Sequence, residues 1–284
     1  MICAWQELLS ILPSWLASEV DKSGAENLQE LRLRLGQAPQ LKFGYKSGWL
    51  NRKVSREDLN FVINTASRYS PWASKSISQG YLTAGGGHRI GLCGEGFYRE
   101  DGSCWIREVR SVCIRVARDF PGIAGGCGLA YGSVLILGPP GSGKTTFLRD
   151  LIRKRSETAQ VCVVDERGEL FPEGFQTGKE LDILTGCSKA EGIEMLLKTM
   201  CPSSIAVDEI TSEADCNAIL RASNCGVNLL ATAHGDSMED LQRRPIYRLL
   251  MEHGVFDHLL LMGMDKSWKE VPLPACLEKS VVQC

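Results

Sequence analysis

From residue 133 onward, short apolar runs alternate with segments in which apolar residues recur every three or four positions. A short apolar run is typical of a buried strand, and the longer period is typical of a helix with one apolar face. The predicted strands lie near 133–137, 160–165, 204–208, 227–232 and 256–262, and the predicted helices near 144–154, 188–200, 212–223 and 238–252. This alternation predicts an α/β domain with a mostly parallel sheet covered on both faces.

Residues 1–120 have a different pattern, in which short helices mix with alternating strands. Leucines at 31, 33 and 35 alternate with Arg32 and Arg34, which predicts a half-buried strand. The segment 55–58 resembles a helix capping box and precedes a helical stripe of apolar residues. Three glycines at 85–87 predict a turn before a further strand at 88–92. These features favour a smaller N-terminal α+β domain.

The segment 121–132 separates the two patterns, since it is rich in glycine and has neither period. Such punctuation is typical of a connection between domains. We therefore predict an N-terminal α+β domain at 1–120, a glycine-rich hinge at 121–132 and an α/β domain at 133–284.

The strongest chemical signal is the string G-P-P-G-S-G-K-T at 138–145, which matches the phosphate-loop template at every position and lies between a predicted strand and a predicted helix. Glycines let backbone N–H groups form a nest around phosphates, and the helix N-terminus adds positive potential. Lys144 is expected to contact the β- and γ-phosphates, and Thr145 to bind Mg²⁺. The predicted nucleotide-binding residues are Gly138, Pro139, Pro140, Gly141, Ser142, Gly143, Lys144, Thr145 and Thr146.

Acidic residues follow two of the predicted strands, and they are candidates for the second Mg²⁺ ligand and for the group that activates water. Asp208 ends the strand near 204–208 and fits the second Mg²⁺ ligand, with Glu209 next to it as the group that orients or deprotonates water. Glu166 follows the strand near 160–165 and is a rival for that water. Because the carboxyl ends of parallel strands meet at one edge of a sheet, all three are expected near the phosphate loop. The choice between Glu166 and Glu209 stays open.

Polar residues after the next strand add a weaker candidate. Thr232 and His234 follow an apolar run, and either could sense the γ-phosphate or its water. The N-terminal segment supplies arginines that a neighbouring domain or subunit could bring to that phosphate, and the sequence does not choose among them. These candidates are Arg89, Arg107, Arg110, Arg115 and Arg118. A second basic cluster ends the phosphate-loop helix and is expected to be solvated: Arg149, Arg153, Lys154 and Arg155.

Composition narrows the class of partner. The formal net charge is −2, so nothing indicates a general attraction to nucleic acid, and we expect no nucleic-acid partner. The twelve cysteines include no C-x-x-C pair and several lie inside apolar runs, which predicts free thiols in a reducing, intracellular compartment. Residues 1–20 carry no Lys or Arg, unlike a signal peptide, and no apolar run reaches the length of a membrane span.

The order of these motifs resembles that of the secretion-type ATPases, which power type II and type IV secretion and pilus systems. Several strings are similar, more specifically, to the stage III sporulation protein AA family of endospore-forming bacteria. They are Leu31–Arg34, Gly86–Gly94, Gly138–Thr145, Asp165–Arg167, Lys189–Gly192 and Val207–Ile210. The resemblance covers nearly the whole chain, and the G-G-H-R-I-G-L-C-G and K-A-E-G strings are its most specific parts.

This resemblance implies a RecA-like P-loop NTPase domain behind a smaller N-terminal domain, and Mg²⁺-dependent ATP hydrolysis. It also implies a homo-oligomer, a hexameric ring, that energises a sporulation-associated secretion or channel complex between mother cell and forespore. The expected location is cytoplasmic, on the mother-cell side, peripheral to the membrane around the forespore through an integral membrane partner.

Two other functions remain open from the residues. A nucleic-acid motor on the same core would need loops that mix aromatic and basic residues, which the α/β half has few of. A nucleotide-binding scaffold without turnover would have no use for a water-positioning carboxylate, and Glu166 and Glu209 favour hydrolysis over it.

Overall fold

The computed structural model describes residues 3–24, 27–44, 46–68, 77, 80–129 and 131–273. Two compact units are present, one made of Met1–Asp119 with Pro172–Phe175 and the other of Phe120–Phe171 with Gln176–Cys284. The glycine-rich segment 121–132 therefore belongs to the second unit, and its role as a hinge stays a prediction. Cys276, Cys284 and the end of the predicted α/β domain, 274–284, lie outside the described residues.

The first unit is built on a six-stranded antiparallel sheet with the order β3-β2-β1-β6-β5-β4. Its elements are α1 (Trp5–Ser10), α2 (Ser14–Lys22), β1 (Glu30–Arg34), β2 (Gln40–Phe43), β3 (Lys46–Trp49), α3 (Arg56–Ala66), β4 (Tyr81–Thr83), β5 (Arg89–Tyr98) and β6 (Cys104–Arg115). A short 3₁₀ turn, Gly85–Gly87, leads into β5.

Alternation along these strands sends leucine, isoleucine and valine side chains to one face, where they form a single core with the three helices. Leu31 and Leu33 of β1 are fully buried there, whereas Arg32 and Arg34, which alternate with them, are half-buried on the opposite face. Helix α3 begins with the predicted capping box, in which Ser55 accepts from the Asp58 amide and Asp58 accepts from the Ser55 amide.

The second unit contains a seven-stranded sheet with the order β13-β12-β7-β11-β10-β8-β9. All neighbouring strands are parallel except β12 and β13. Its elements are β7 (Val134–Gly138), α4 (Lys144–Arg155), β8 (Val161–Asp165), β9 (Leu181–Thr185), α5 (Lys189–Thr199), β10 (Ser204–Val207), α6 (Glu213–Asn224), β11 (Asn228–His234), α7 (Met238–Arg243), α8 (Pro245–Glu252), β12 (His258–Met262) and β13 (Trp268–Val271).

Both faces of this sheet are buried, as strand–helix alternation predicts. Leu135 and Leu137 of β7 enter one apolar cluster, and Val134 and Ile136 enter the cluster on the opposite face. The continuous apolar strands of the sequence correspond to this two-sided burial. The α/β fold with a mostly parallel, mixed sheet is thus confirmed.

The structure corrects one helix and adds edge strands. The helix predicted at 238–252 is two helices, because Arg244 is extended before Pro245, which begins the second. Strands β9 and β13 lie at the two edges of the sheet and are partly polar. Their apolar pattern is therefore too weak to predict a strand from the sequence.

Candidate active site

The phosphate-loop string connects the end of β7 to the start of α4. Gly138 is the last residue of β7, Lys144 is the first of α4, and Thr146 lies in the first turn of that helix. Gly141 and Gly143 have φ of 77° and 98°, which is left-handed backbone that favours glycine. A Cβ added at Gly141 would meet nothing within 4 Å, so the side of the loop that it faces is open.

Lys144 is buried against the loop that precedes it. Its Nζ donates to the carbonyls of Gly138 at 2.9 Å and Pro139 at 3.0 Å, and also lies 3.1 Å from His234 Nδ1. Burial lowers the pKa of the Lys144 ammonium, and the carboxylates of Asp208 and Glu209 partly oppose that shift. A desolvated ammonium held near an open nest is suited to an anionic ligand.

Thr145 and Asp208 meet beside the loop although they are far apart in the sequence. The Thr145 hydroxyl donates to Asp208 Oδ2 at 2.8 Å, and the Thr232 hydroxyl donates to Asp208 Oδ1 at 2.6 Å. Parallel pairing of β10 with β11 and of β11 with β7 aligns the ends of these strands. Thr145 and Asp208 thus present the hydroxyl and carboxylate oxygens that suit Mg²⁺ together with nucleotide phosphates and water. These residues fit the metal.

Glu209 has strained backbone that neighbouring groups hold in place. Its φ is 42°, an uncommon value for a residue with a side chain. Its amide donates to Thr232 Oγ1 at 2.8 Å and lies 3.1 Å from Asp208 Oδ1. The next amide, that of Ile210, donates to the Thr232 carbonyl at 2.9 Å. The strain therefore sits at the residue that the sequence marked for water activation.

His234 joins Lys144 to Glu209. Its Nε2 lies 3.0 Å from Glu209 Oε1, and its Nδ1 faces the Lys144 ammonium. Because an ammonium only donates, Nδ1 accepts and Nε2 carries the proton that is donated to Glu209. His234 is therefore a link between the phosphate-loop lysine and the candidate base.

The two acids at the end of β8 differ in burial: Asp165, its last residue, is buried, and Glu166, the next residue, is exposed. Asp165 is 2% exposed and accepts from the amides of Glu169, Leu170 and Phe171, so it organises the loop that follows its strand. Burial raises the pKa of Asp165, with backbone hydrogen bonds opposing the shift. Glu166 instead lines a pocket with Asp208 and Glu209, where Lys189 binds its carboxylate at 2.5 Å.

Sequence reasoning missed Lys189 and Gly192 as parts of the site, although both belong to the K-A-E-G string. Lys189 pairs with Glu166, and a Cβ at Gly192 would approach Val164 Cγ1 to 2.5 Å. The glycine lets α5 pack closely on β8, and that packing positions the lysine. Lys266, in the turn after β12, donates to the Gly141 carbonyl and was also missed, since no motif marks it.

The prediction that the basic cluster of α4 is solvated is wrong for three of its four members, because Arg149 and Arg155 are buried and the Arg153 side chain, 11% exposed, pairs with Asp150. Arg149 and Arg155 are 6% and 5% exposed. Arg149 donates to the carbonyls of Glu169 and Leu170, and Arg155 donates to those of Leu129 and Tyr131. Guanidinium groups with several donors satisfy loop carbonyls that would otherwise be buried without partners.

The candidate γ-phosphate arginines all belong to the first unit. Arg107 pairs with Glu95, Arg110 lies 3.7 Å from the same carboxylate, and Arg118 donates to the Leu28 carbonyl at 2.6 Å. The guanidinium of Arg89 lies 5.7 Å from the centre of the Tyr81 ring. The candidates therefore differ in what they already bind, and the role of each at a phosphate stays a prediction.

The described cysteines are free thiols, and burial raises the pKa of Cys162 to about 11 and that of Cys216 to about 12. Such thiols pack as small apolar groups. No helix in the part of the chain that the structure describes has both the length and the apolar character needed to cross a bilayer.

Comparison with solved structures relates the fold to that of an ATPase and that of a pilus retraction motor. The Legionella pneumophila ATPase DotB superimposes with a TM-score of 0.62 at 17% identity, covering 91% of this chain and 79% of that chain. The pilus retraction motor PilT with bound ADP superimposes with a TM-score of 0.63 at 15% identity, covering 87% and 76% of the two chains. At these identities the likeness establishes the fold.

Comparison of sequences is more specific. Stage III sporulation protein AA of Bacillus subtilis (strain 168) is 33% identical over 282 residues, which is 92% of this chain and 91% of the relative. The profile of the family described as "Sporulation stage III, protein AA" matches residues 6–272. The resemblance inferred from the sequence strings is thus confirmed, and this chain belongs to the stage III sporulation protein AA family.

Proposed function

We propose that the chain is an Mg²⁺-dependent ATP hydrolase and a motor subunit of the secretion type. One observation carries the proposal: Lys144, the Thr145–Asp208 pair and the Glu209–His234 pair meet at the carboxyl ends of neighbouring parallel strands. Structural likeness to an ATPase and to a pilus retraction motor with bound ADP supports it. The chain would combine phosphate binding, metal binding and water activation in one site.

The phosphate loop would hold the triphosphate of ATP by the backbone N–H groups of residues 141–146, since Pro139 and Pro140 have none. Lys144 already lies within the loop and would exchange its bonds to the Gly138 and Pro139 carbonyls for phosphate oxygens. That exchange replaces two neutral acceptors with anionic ones, which bind an ammonium more strongly. Lys144 would thereby also leave the Nδ1 atom of His234.

Thr145 and Asp208 would hold Mg²⁺, and Thr232 fixes the Asp208 carboxylate from behind. Bound Mg²⁺ would supply positive charge that neutralises the phosphate oxygens during transfer. Thr232 does not reach the γ-phosphate in this proposal, because its hydroxyl is engaged by Asp208 and by the amide of Glu209.

Glu209 would orient and deprotonate the attacking water. His234 binds Oε1 of its carboxylate, and the Glu209 side chain lines the pocket next to Asp208, where the water would lie. Glu166 lines the same pocket and is the competing base, but Lys189 already holds its carboxylate at 2.5 Å. This contact is shorter than the 3.0 Å between His234 and Glu209, so Glu166 is less free to turn towards a water, and this difference favours Glu209.

The biological setting is proposed from the family. A sporulation protein with a secretion-ATPase fold would assemble as a homo-oligomer, a hexameric ring, and energise a channel or secretion complex between mother cell and forespore. It would act in the mother-cell cytoplasm, held at the surrounding membrane by an integral membrane partner.

The test substitutes each acid by its amide. Glu209→Gln is expected to abolish ATP hydrolysis and to preserve ATP binding, whereas the matched control Glu166→Gln retains turnover. Phosphate release and calorimetric ATP binding are measured on both variants with Mg²⁺. Hydrolysis that persists in Glu209→Gln and disappears in Glu166→Gln would assign the base to Glu166. A wild-type chain that binds ATP without turnover would contradict the hydrolase and favour a scaffold.

A further inference from the structure

Arg167 lies in the turn that follows β8, next to the proposed catalytic acids. It lines the pocket that Asp208 and Glu209 also line. Within the described part of the chain, its exposed side chain has no hydrogen-bond or ion-pair partner. A guanidinium carries five N–H donors and keeps its charge in proteins. The guanidinium at the wall of this pocket is therefore available to an anionic ligand.

Five acids line the same pocket, and each of them has a partner other than this guanidinium: Asp165, Glu166, Glu169, Asp208 and Glu209. Lys189 binds Glu166 at 2.5 Å, and the imidazole of the site lies 3.0 Å from Glu209. Two threonine hydroxyls donate to Asp208, and three backbone amides donate to Asp165. The acids of the pocket are thus satisfied without Arg167, and its charge is left for a ligand.

The turn that carries Arg167 is held in place by the backbone on both sides. The Gly168 amide donates to the Asp165 carbonyl at 3.2 Å and closes the turn, and the φ of Gly168, 65°, favours glycine. Arg149 of α4 donates to two carbonyls farther along the same loop. Because α4 begins in the phosphate loop, one helix supports both the loop and the segment after the turn. A side chain on such a support loses little backbone freedom when it binds a ligand.

Asp208 connects this pocket to the phosphate loop. The Thr145 hydroxyl donates to Asp208 Oδ2 at 2.8 Å, and Asp208 lines the pocket together with Arg167. Parallel pairing of β8 with β10 sets Val164 beside Val207, so the turn after β8 and the acids after β10 leave the sheet side by side. Because Mg²⁺ bridges the β- and γ-phosphates in phosphate-loop enzymes, the γ-phosphate is the part of the nucleotide expected at this pocket.

We propose that Arg167 is a catalytic residue that binds the γ-phosphate of ATP from within the same chain, an inference that rests on the proposed hydrolysis. In that reaction the water oxygen bonds to the γ-phosphorus, the bond from this phosphorus to the bridging oxygen breaks, and ADP and inorganic phosphate leave. Glu209 takes one proton of the water. Arg167 stays protonated and donates to the γ-phosphoryl oxygens, over which the transition state spreads negative charge. A guanidinium fork suits two such oxygens at once.

This assignment differs from the sequence-based arginine candidates, which all belong to the first unit. Arg107 pairs with Glu95, and Arg118 donates to the Leu28 carbonyl, so each would give up a partner to reach a phosphate. Among the described residues, Arg167 has no such partner to give up, and it belongs to the unit that holds the phosphate loop. An arginine supplied by the same chain supports hydrolysis without a partner protein.

The experiment replaces Arg167 in the full chain and measures turnover and binding separately. Arg167→Gln is expected to lower kcat for ATP on the order of a hundredfold or more and to weaken calorimetric binding of a non-hydrolysable ATP analogue about tenfold. ADP affinity should stay within about twofold, because ADP lacks the γ-phosphate. Arg167→Lys keeps the charge without the fork and should restore part of kcat.

The matched control is Arg248→Gln, which removes an exposed arginine of α8 that does not line the pocket. This variant should keep the wild-type kcat and both affinities. Thermal melting of each variant verifies that it is folded, and sedimentation velocity with the analogue measures self-association. If Arg167→Gln loses self-association and turnover together while its affinity for the analogue is unchanged, Arg167 belongs to an interface between copies and the proposal is overturned.

Two further results would overturn the proposal: a wild-type kcat in Arg167→Gln, or an equal loss of ADP and analogue affinity, which would show no preference for the γ-phosphate. Failure of the proposed hydrolysis is recognised separately, because the wild-type chain would then show no turnover. Calorimetry still tests Arg167 in that case: selective loss of analogue binding supports a γ-phosphate contact, and unchanged analogue binding overturns it. A wild-type chain that binds neither nucleotide would overturn both proposals.

Discussion

Replacement of Thr232 by valine tests whether the strand end behind the site holds Asp208 and Glu209 in position. Thr232 is 1% exposed and its hydroxyl forms two hydrogen bonds, to Asp208 Oδ1 and from the Glu209 amide. Valine has nearly the same shape, so Thr232→Val removes these bonds and leaves the packing almost unchanged. The expected result is lower stability together with slower hydrolysis.

The expected loss of stability in Thr232→Val follows from the two hydrogen bonds that the hydroxyl forms. A hydrogen bond to a charged group contributes about 1.5–3 kcal/mol, and a neutral one about 0.5–1.5 kcal/mol. The Glu209 amide keeps its second contact, 3.1 Å from Asp208 Oδ1, so it is not left without an acceptor. The charged bond is therefore the larger loss, and we expect a destabilisation of about 2 kcal/mol. For a domain of this size that lowers Tm by about 4–8 °C.

The assay combines thermal unfolding with ATP hydrolysis. We expect kcat to fall on the order of tenfold to a hundredfold, because Asp208 and Glu209 lose their common support, with ATP affinity nearly unchanged. Thr232→Ser is the control, since it keeps the hydroxyl and loses only a methyl group. A valine variant with wild-type Tm and kcat would refute the role of Thr232 as a positioning residue.

Three further changes test other parts of the account. Lys144→Met should raise the Tm of the nucleotide-free protein at pH 7, because the folded chain holds the pKa of Lys144 below its ordinary value of 10.5 and so disfavours the charged form. Melting curves should show the difference in Tm closing as pH rises towards that value. Equal Tm values at pH 7 would contradict this. Gly192→Ala should cost about 1–3 kcal/mol in denaturant unfolding, since its Cβ would meet Val164; wild-type stability would show that close packing is not needed. Asp165→Ala should cost about 2–4 kcal/mol, because three amides, two of them buried, lose their acceptor. Wild-type protection of those amides in hydrogen exchange would refute this.

The sequence was informative where chemistry depends on local order. A strand, a glycine-rich loop and a helix follow one another within 133–155, so the phosphate loop and its neighbours could be placed from pattern alone. The acids after β8 and β10 could be assigned to the same edge because parallel strands align their carboxyl ends. These inferences need only the period and order of the residues.

Other features depend on contacts between distant segments, which a single sequence does not contain. The burial of Arg149 and Arg155 arises from loop carbonyls that the fold brings to α4. The pairing of Lys189 with Glu166 depends on how closely α5 packs against β8. The sequence makes the hydroxyl of Thr232 a candidate phosphate sensor. The structure shows that this hydroxyl accepts from the Glu209 amide and donates to Asp208 Oδ1.

Phosphate release from ATP, measured with and without Mg²⁺ on the wild-type chain and on Lys144→Ala, tests the central claim most directly. The account predicts turnover by the wild type only when Mg²⁺ is present, and none by Lys144→Ala, because phosphate charge in the loop would lose its buried cation. Equal rates in the two proteins, or a wild-type rate indifferent to Mg²⁺, would contradict it.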